Sequence, residues 1–170
     1  MITSNLLEIS KHLSNATLYG KNITFQGCST DTRVLKENNL YVALKGENFD
    51  GHDFAEQAIQ KGAVGIITEK KLDLNIPQLI ILNAKIALGE LANFWRNQLK
   101  TQIVAITGSN GKTTTKEMLA SILKEQFNTL ATQGNLNNDI GVPLTLFQLN
   151  EKHQYAVIEM GANHLKELVI

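Results

Sequence analysis

Cysteine occurs once in these 170 residues, at Cys28, and proline twice, at Pro77 and Pro143. A lone cysteine excludes an internal disulfide and leaves no CxxC pair for zinc or redox chemistry, so Cys28 is expected to be a small buried apolar residue. Net charge is absent too. Sixteen basic residues balance sixteen acidic ones, which removes the positive field expected of a nucleic-acid or membrane-surface binder. No apolar run reaches membrane-spanning length, and the N-terminus, MITSNLLEISKHL, lacks a basic leader followed by an apolar stretch. These absences point to a cytoplasmic protein in a reducing compartment, with no membrane insertion and no nucleic acid among its partners. What is present, 43% hydrophobic and 19% charged residues, fits a globular chain of one large or two small domains.

Hydrophobic periodicity organises the chain as mixed α/β. Asn5 and Glu8 resemble a capping box before a short amphipathic helix carrying Leu6, Ile9 and Leu13. Strands are expected at Ile23–Gln26, at an alternating Leu40–Leu44, at Val64–Thr68 and at Leu79–Leu82, with a helix at Phe54–Lys61. A helix from about Ala84 to Leu99 follows, in which Trp95 reads as core. The second half then runs strand (Gln102–Thr107), glycine loop, helix (Lys112–Gln126), strand (Thr129–Ala131), polar loop, helix (about Val142–Leu149) and strand (Tyr155–Glu159). Such alternation points to a parallel sheet with crossover helices. The expected division is a small N-terminal α/β unit over 1–84, a connecting helix over 85–100, and an incomplete parallel-sheet phosphate-loop domain over 101–170.

The chemistry is concentrated in AITGSNGKTTTKEML, Ala105 to Leu119. A strand entering a glycine-rich turn that opens a helix aims backbone N–H groups and the positive end of the helix at one point, which favours an anion. Gly108 and Gly111 allow positive φ and close approach of a phosphate. Lys112 can reach β- and γ-phosphates, and the Thr113 hydroxyl can ligate Mg²⁺. The general pattern GxxxxGK[ST] asks for glycine at position 106, where Ile106 stands, so an ordinary strand–turn–helix connection is the competing reading. Ligands sit outside the carboxyl ends of strands in open parallel sheets. Glu159 ends an apolar strand there and is suited to holding Mg²⁺ near phosphates, or to being a solvated acid. The amide-rich Gln133–Pro143 could be a capped turn or a polar lip over a nucleotide.

Taken together, TGSNGKTT, GNLNNDIGVPLTL and VIEMGANH, with STDTR and YVALKGENFDGHDF upstream, resemble the Mur ligase family of ATP-dependent amide-bond-forming enzymes. The resemblance runs from roughly residue 20 to residue 164, and that family uses a shortened phosphate loop, which accounts for Ile106. It implies ATP and Mg²⁺ as cofactors, with Thr107, Gly108, Ser109, Asn110, Gly111, Lys112 and Thr113 around the nucleotide. Lys112, Asn138 and Glu159 become catalytic candidates, and Thr113 and Glu159 metal ligands. Asp31, Thr32 and Arg33, with the loop from Lys45 to His52, align with segments that hold the uridine-diphosphate end of a precursor. Arg33 suits either a diphosphate or an Asp31 partner. His52 and His164 suit either a ligand or a hydrogen-bonded loop, and His12 and His153 read as surface residues.

The motifs fit best the member that joins D-alanyl-D-alanine to UDP-N-acetylmuramoyl-tripeptide through an acyl phosphate, a peptidoglycan-building step, expected to be monomeric at full length. Such enzymes have three domains, so the resemblance implies that these 170 residues are a fragment without ligase turnover. The carbamylated lysine, most of the adenine pocket and the C-terminal domain fall beyond it, and Lys166 stands where glycine is expected. Two other readings stay open: another Mur-type or folylpolyglutamate-type ligase, and a non-catalytic module that captures a UDP-sugar peptide. A generic phosphate-loop switch is disfavoured by the N-terminal motifs.

Overall fold

Asn5 accepts the Glu8 N–H at 2.9 Å, and that contact turns strand β1 (Thr3–Asn5) directly into helix α1 (Leu6–Ile9). The Glu8 carboxylate reaches back to the Ser4 hydroxyl at 2.9 Å, so the box closes one residue earlier than the pattern suggests. The structure is a computed structural model that describes residues 1–161. It divides into two compact units, Met1–Phe94 and a second beginning at Trp95. Among the described residues no helix is long and apolar enough to cross a membrane.

In the first unit, chain order continues through β2 (Thr17–Tyr19), β3 (Thr24–Gln26), β4 (Cys28–Ser29) and β5 (Leu40–Val42). A 3₁₀ turn (Gly51–Phe54) then leads into α2 (Ala55–Gln60), β6 (Gly65–Thr68), β7 (Gln78–Ile80) and α3 (Ala84–Asn97). β1 pairs with β3 as an antiparallel ribbon. The main sheet runs β2-β7-β6-β5-β4, parallel throughout except for antiparallel β2 at one edge.

Leu40, Tyr41 and Val42 are all buried, and so is every residue of β6. The alternation expected at Leu40–Leu44 is therefore replaced by continuous burial, because a parallel strand is covered on both faces. Tyr41, Ala43 and Ile66 join Leu35, Ala55, Ala58 and Ala63 in one cluster. Residues one step along β5 and β6 point the other way, and there Leu6, Ile23 and Leu40 close over Gly65, leaving only 3.3 Å for a Cβ. β1, β2 and β4 escape a sequence reading: β2 and β4 are short edge strands and β1 is half of a two-stranded ribbon, each defined by its pairing partner. Cys28 in β4 is half-buried, and its surroundings push the thiol above its ordinary pKa by desolvation.

The second unit holds β8 (Gln102–Ile106), α4 (Lys112–Lys124), β9 (Thr129–Ala131), α5 (Gly141–Leu146) and β10 (Tyr155–Glu159). The strands form a parallel sheet in the order β8-β10-β9. Central β10 is buried from Ala156 to Glu159, whereas β8 is half-buried or exposed along its length. Two apolar residues of α4, Met118 and Ile122, also remain largely exposed. Trp95 is half-buried and donates from its indole N–H to the Leu149 carbonyl at 3.1 Å. The pairing register places Glu159 opposite Ile106 and Val157 opposite Ala131. All three strands thus end at one rim, where the glycine loop and the amide-rich loop also begin.

Candidate functional site

Gly108 and Gly111 take φ of 148° and 74°, so the turn uses the conformations that a side chain disfavours. Gly111 is the N-cap of α4 and makes no side-chain cap. The first-turn N–H groups of a 13-residue helix therefore stand without a capping side chain, the arrangement that draws an anion. Thr107, Gly108, Ser109 and Asn110 are exposed. Lys112 bends back over the loop and its Nζ donates to the Gly108 carbonyl at 2.6 Å. A cation is thereby held over the hollow by one neutral hydrogen bond.

Below that loop lies a buried polar knot. The Thr113 hydroxyl donates to Glu159 Oε1 at 3.1 Å, and Asn137 Nδ2 donates to the same oxygen at 2.9 Å. The Glu159 backbone N–H donates to Thr132 Oγ1 at 2.9 Å. Lys116, 1% exposed, donates to the Thr132 carbonyl at 2.9 Å and lies 3.7 Å from Glu159 Oε2. That separation is within ion-pair reach but beyond a hydrogen bond. Oε2 is accordingly a buried oxygen with no hydrogen-bond partner.

Oε2 faces the Lys116 ammonium, so the carboxylate oxygen beside Thr113 is Oε1. Mg²⁺ takes oxygen ligands at about 2.0–2.1 Å in an octahedron, so two adjacent ligands stand about 3 Å apart. The 3.1 Å between Thr113 Oγ1 and Glu159 Oε1 matches such an edge. Among the described residues no group of three or more His, Cys, Asp or Glu could hold a metal. The spacing of Thr113 Oγ1 and Glu159 Oε1 is compatible with two adjacent ligands of such an ion.

Comparison with known proteins identifies the family. The signature described as "Mur ligase family, catalytic domain" matches residues 24–126, and that described as "Mur ligase middle domain" matches residues 106–169. The chain belongs to the Mur ligase family. It is 51% identical over 168 residues to the UDP-N-acetylmuramoyl-tripeptide–D-alanyl-D-alanine ligase of Escherichia coli (strain K12), covering 99% of this chain and 37% of that protein. A crystal structure of MurF from Acinetobacter baumannii superposes with a TM-score of 0.84 at 41% identity, over 95% of this chain and 35% of that one. The MurF ligase of Thermotoga maritima, solved in complex with ADP, gives 0.76 at 32% identity, over 84% and 34%. The chain thus spans little more than a third of the length of these Mur ligases.

Several candidate residues of this Mur ligase chain lie elsewhere or face inward. Asn138 is exposed, and its Oδ1 accepts the Gly141 N–H at 2.7 Å and the Ile140 N–H at 3.3 Å. Its neighbour Asn137 is the amide that touches Glu159. Lys116 and Thr132 were also missed. The available signal for Lys116 was its spacing, three residues after Thr113 and so on the same helix face.

In the first unit Asp31 and Arg33 form a forked pair, with the arginine Nε at 3.0 Å from both carboxylate oxygens and one terminal nitrogen at 2.6 Å. Those hydrogen bonds from Arg33 hold the Asp31 carboxyl below its usual range. Thr32 is buried and donates to Gln57 Oε1 at 2.6 Å. Its hydroxyl is engaged within the fold.

His52 is likewise turned inward. It is buried, its Nδ1 is bound to Asp50, and its Nε2 accepts the Glu69 N–H at 3.1 Å. With both ring nitrogens engaged inside the protein, the imidazole has nothing to offer a ligand. Lys45 and Arg33 remain exposed, in the segments that follow the adjacent parallel strands β5 and β4. His12 lies on the surface against Phe94, with ring centroids 4.5 Å apart. His153 is half-buried and accepts the Asn150 N–H at 3.2 Å. His164 and Lys166 lie outside the described residues.

Proposed function

We propose that this chain supplies the nucleotide-phosphate site and the precursor-holding unit of an ATP-dependent ligase that joins D-alanyl-D-alanine to UDP-N-acetylmuramoyl-tripeptide. The observation that carries the reading is the register that brings the glycine loop and Glu159 to one rim, with Thr113 touching that carboxylate at 3.1 Å. The relatives named above support the choice of substrates.

In this reading the loop amides and the start of α4 receive the β- and γ-phosphates. Lys112 leaves the Gly108 carbonyl to follow the charge that develops on the γ-phosphate. Mg²⁺, held by Thr113 and Glu159, supplies neutralisation of the phosphate oxygens. The tripeptide carboxylate bonds to the γ-phosphorus as the bridging bond to ADP breaks, giving an acyl phosphate. The D-alanyl-D-alanine amine then bonds to the acyl carbon, loses a proton, and expels inorganic phosphate. The protein contributes mainly position and charge compensation. Arg33 and Lys45 are the cations assigned to the diphosphate of the precursor, at the carboxyl ends of their strands.

Separate calorimetric titrations of Mg-ATP and of UDP-N-acetylmuramoyl-tripeptide into the chain test this. Lys112→Met should weaken Mg-ATP roughly tenfold or more, the scale of one charge-assisted contact, and leave precursor binding unchanged. Arg33→Ala with Lys45→Ala should do the reverse. Mg-ATP affinity that ignores Lys112 would remove the reading.

A further inference from the structure

Lys116 has no part in the phosphate-loop pattern, yet it is among the most deeply buried large side chains of the protein. A lysine is rarely enclosed in this way without a partner. Its ammonium meets three groups: the Thr132 carbonyl at 2.9 Å, the exposed Glu117 carboxylate at 2.9 Å, and Glu159 Oε2 at 3.7 Å. The first two are hydrogen bonds. The third is a charge facing a charge, on a buried side-chain oxygen that has no hydrogen-bond donor. Glu159 is itself 2% exposed, so its negative charge has no access to water.

We propose that Lys116 is a positioning residue that acts as the built-in counter-cation of Glu159. It lets the carboxylate stay enclosed before any ligand arrives and makes uptake of a divalent ion depend on phosphate. The inference rests on the nucleotide reading above and deepens it.

Without phosphate, the rim carries Glu159 and the exposed Glu117 against Lys116, with Lys112 nearby on the loop, so a bare divalent cation meets no net negative charge. The attraction of one carboxylate for the ion is opposed by an ammonium held close behind it. The polyphosphate of a nucleotide reverses that balance by bringing several negative charges at once. Because Lys116 is anchored on the Thr132 carbonyl, it need not move for this to happen. The backbone of the same Thr132 segment is tied to Glu159 through the threonine hydroxyl, so the cation and its carboxylate are fixed to one short piece of chain. Uptake of metal and nucleotide together follows from charge alone.

The test reads Mn²⁺ affinity by electron paramagnetic resonance on the 170-residue chain without nucleotide, in wild type, Lys116→Met and Lys116→Arg. Loss of the buried cation should tighten free Mn²⁺ binding roughly tenfold or more, the scale of a unit charge at such a distance in a screened interior. Lys116→Arg should stay close to wild type. A folded Lys116→Met chain that binds free Mn²⁺ no better than wild type overturns the proposal.

Should Lys116→Met fail to fold, the double variant with Glu159→Gln decides, because neutralising the acid removes the need for a counter-charge. Recovery of the melting transition supports the role, and no recovery overturns it. Failure of wild type to take up Mn-ATP would sink the nucleotide reading instead, and that outcome is separate because the Mn²⁺ comparison is made without nucleotide.

Discussion

Arg33 and Asp31 stand 2.6 Å apart with side chains 86% and 34% exposed, whereas Lys116 and Glu159 stand 3.7 Å apart with 1% and 2% exposed. The tighter pair is the less consequential. Water already solvates Arg33, so its fork on Asp31 replaces hydration that was nearly as good, and an exposed pair adds little to stability. The looser pair cannot exchange either partner for water, and loss of one charge leaves the other enclosed and uncompensated. Burial, more than distance, decides what an ion pair does here. The same contrast separates the two units: Arg33 and Lys45 of the first are exposed, while Lys116 of the second is enclosed beside an acid.

The sharpest way to break the comparison is Lys116→Met, which should lower stability in urea by about 3–5 kcal/mol, the cost of stranding a buried charge. A loss no larger than that of an exposed pair would show the interior site to be well hydrated. Gly141→Ala comes next. An added Cβ there would lie 2.5 Å from the backbone of Leu136, and such overpacking costs about 1–3 kcal/mol. Far-UV melting should show the drop, and its absence would mean that the loop beside Asn137 yields easily. Thr32→Val, which removes the buried hydroxyl from Gln57, should cost about 1 kcal/mol by the same assay.

Smaller effects belong to the exposed groups. Asp50 accepts the His52 backbone N–H and then its ring, and these bonds hold its carboxyl at about 2. A depressed acid stabilises the fold above its unfolded pKa, about 4, and loses that contribution as pH falls towards 2. Asp50→Asn should flatten this acid limb in a pH series of denaturation midpoints. An unchanged limb would assign it to other carboxyls. Arg33→Ala is expected to leave the midpoint unaltered while the Asp31 carboxyl, followed by NMR, returns towards its usual value.

Much of the second unit was legible in the linear pattern. Thr129–Ala131 and Tyr155–Glu159 are strands with the expected bounds, and the helix after the glycine loop begins at Lys112 as expected. Apolar strands bounded by glycine and polar turns carry a strong local signal. Helix ends read less well: the second-unit helix expected at about Val142–Leu149 runs Gly141–Leu146. The first unit was harder. α1 stops at Ile9 although Leu13 is buried, and the short strands of its edges are defined by partners distant in sequence.

By itself, the order of residues determined that a glycine-rich turn precedes a helix, that an acid ends a strand, and that both belong to one family of ligases. Those features depend on local backbone preference and on neighbours within a few positions. Only the folded chain decided that Asn137 and not Asn138 faces the acid, that His52 and Thr32 turn inward, and that Lys116 is enclosed beside Glu159. Each of those outcomes depends on which side chain loses its water, and that is set by contacts between segments far apart in sequence.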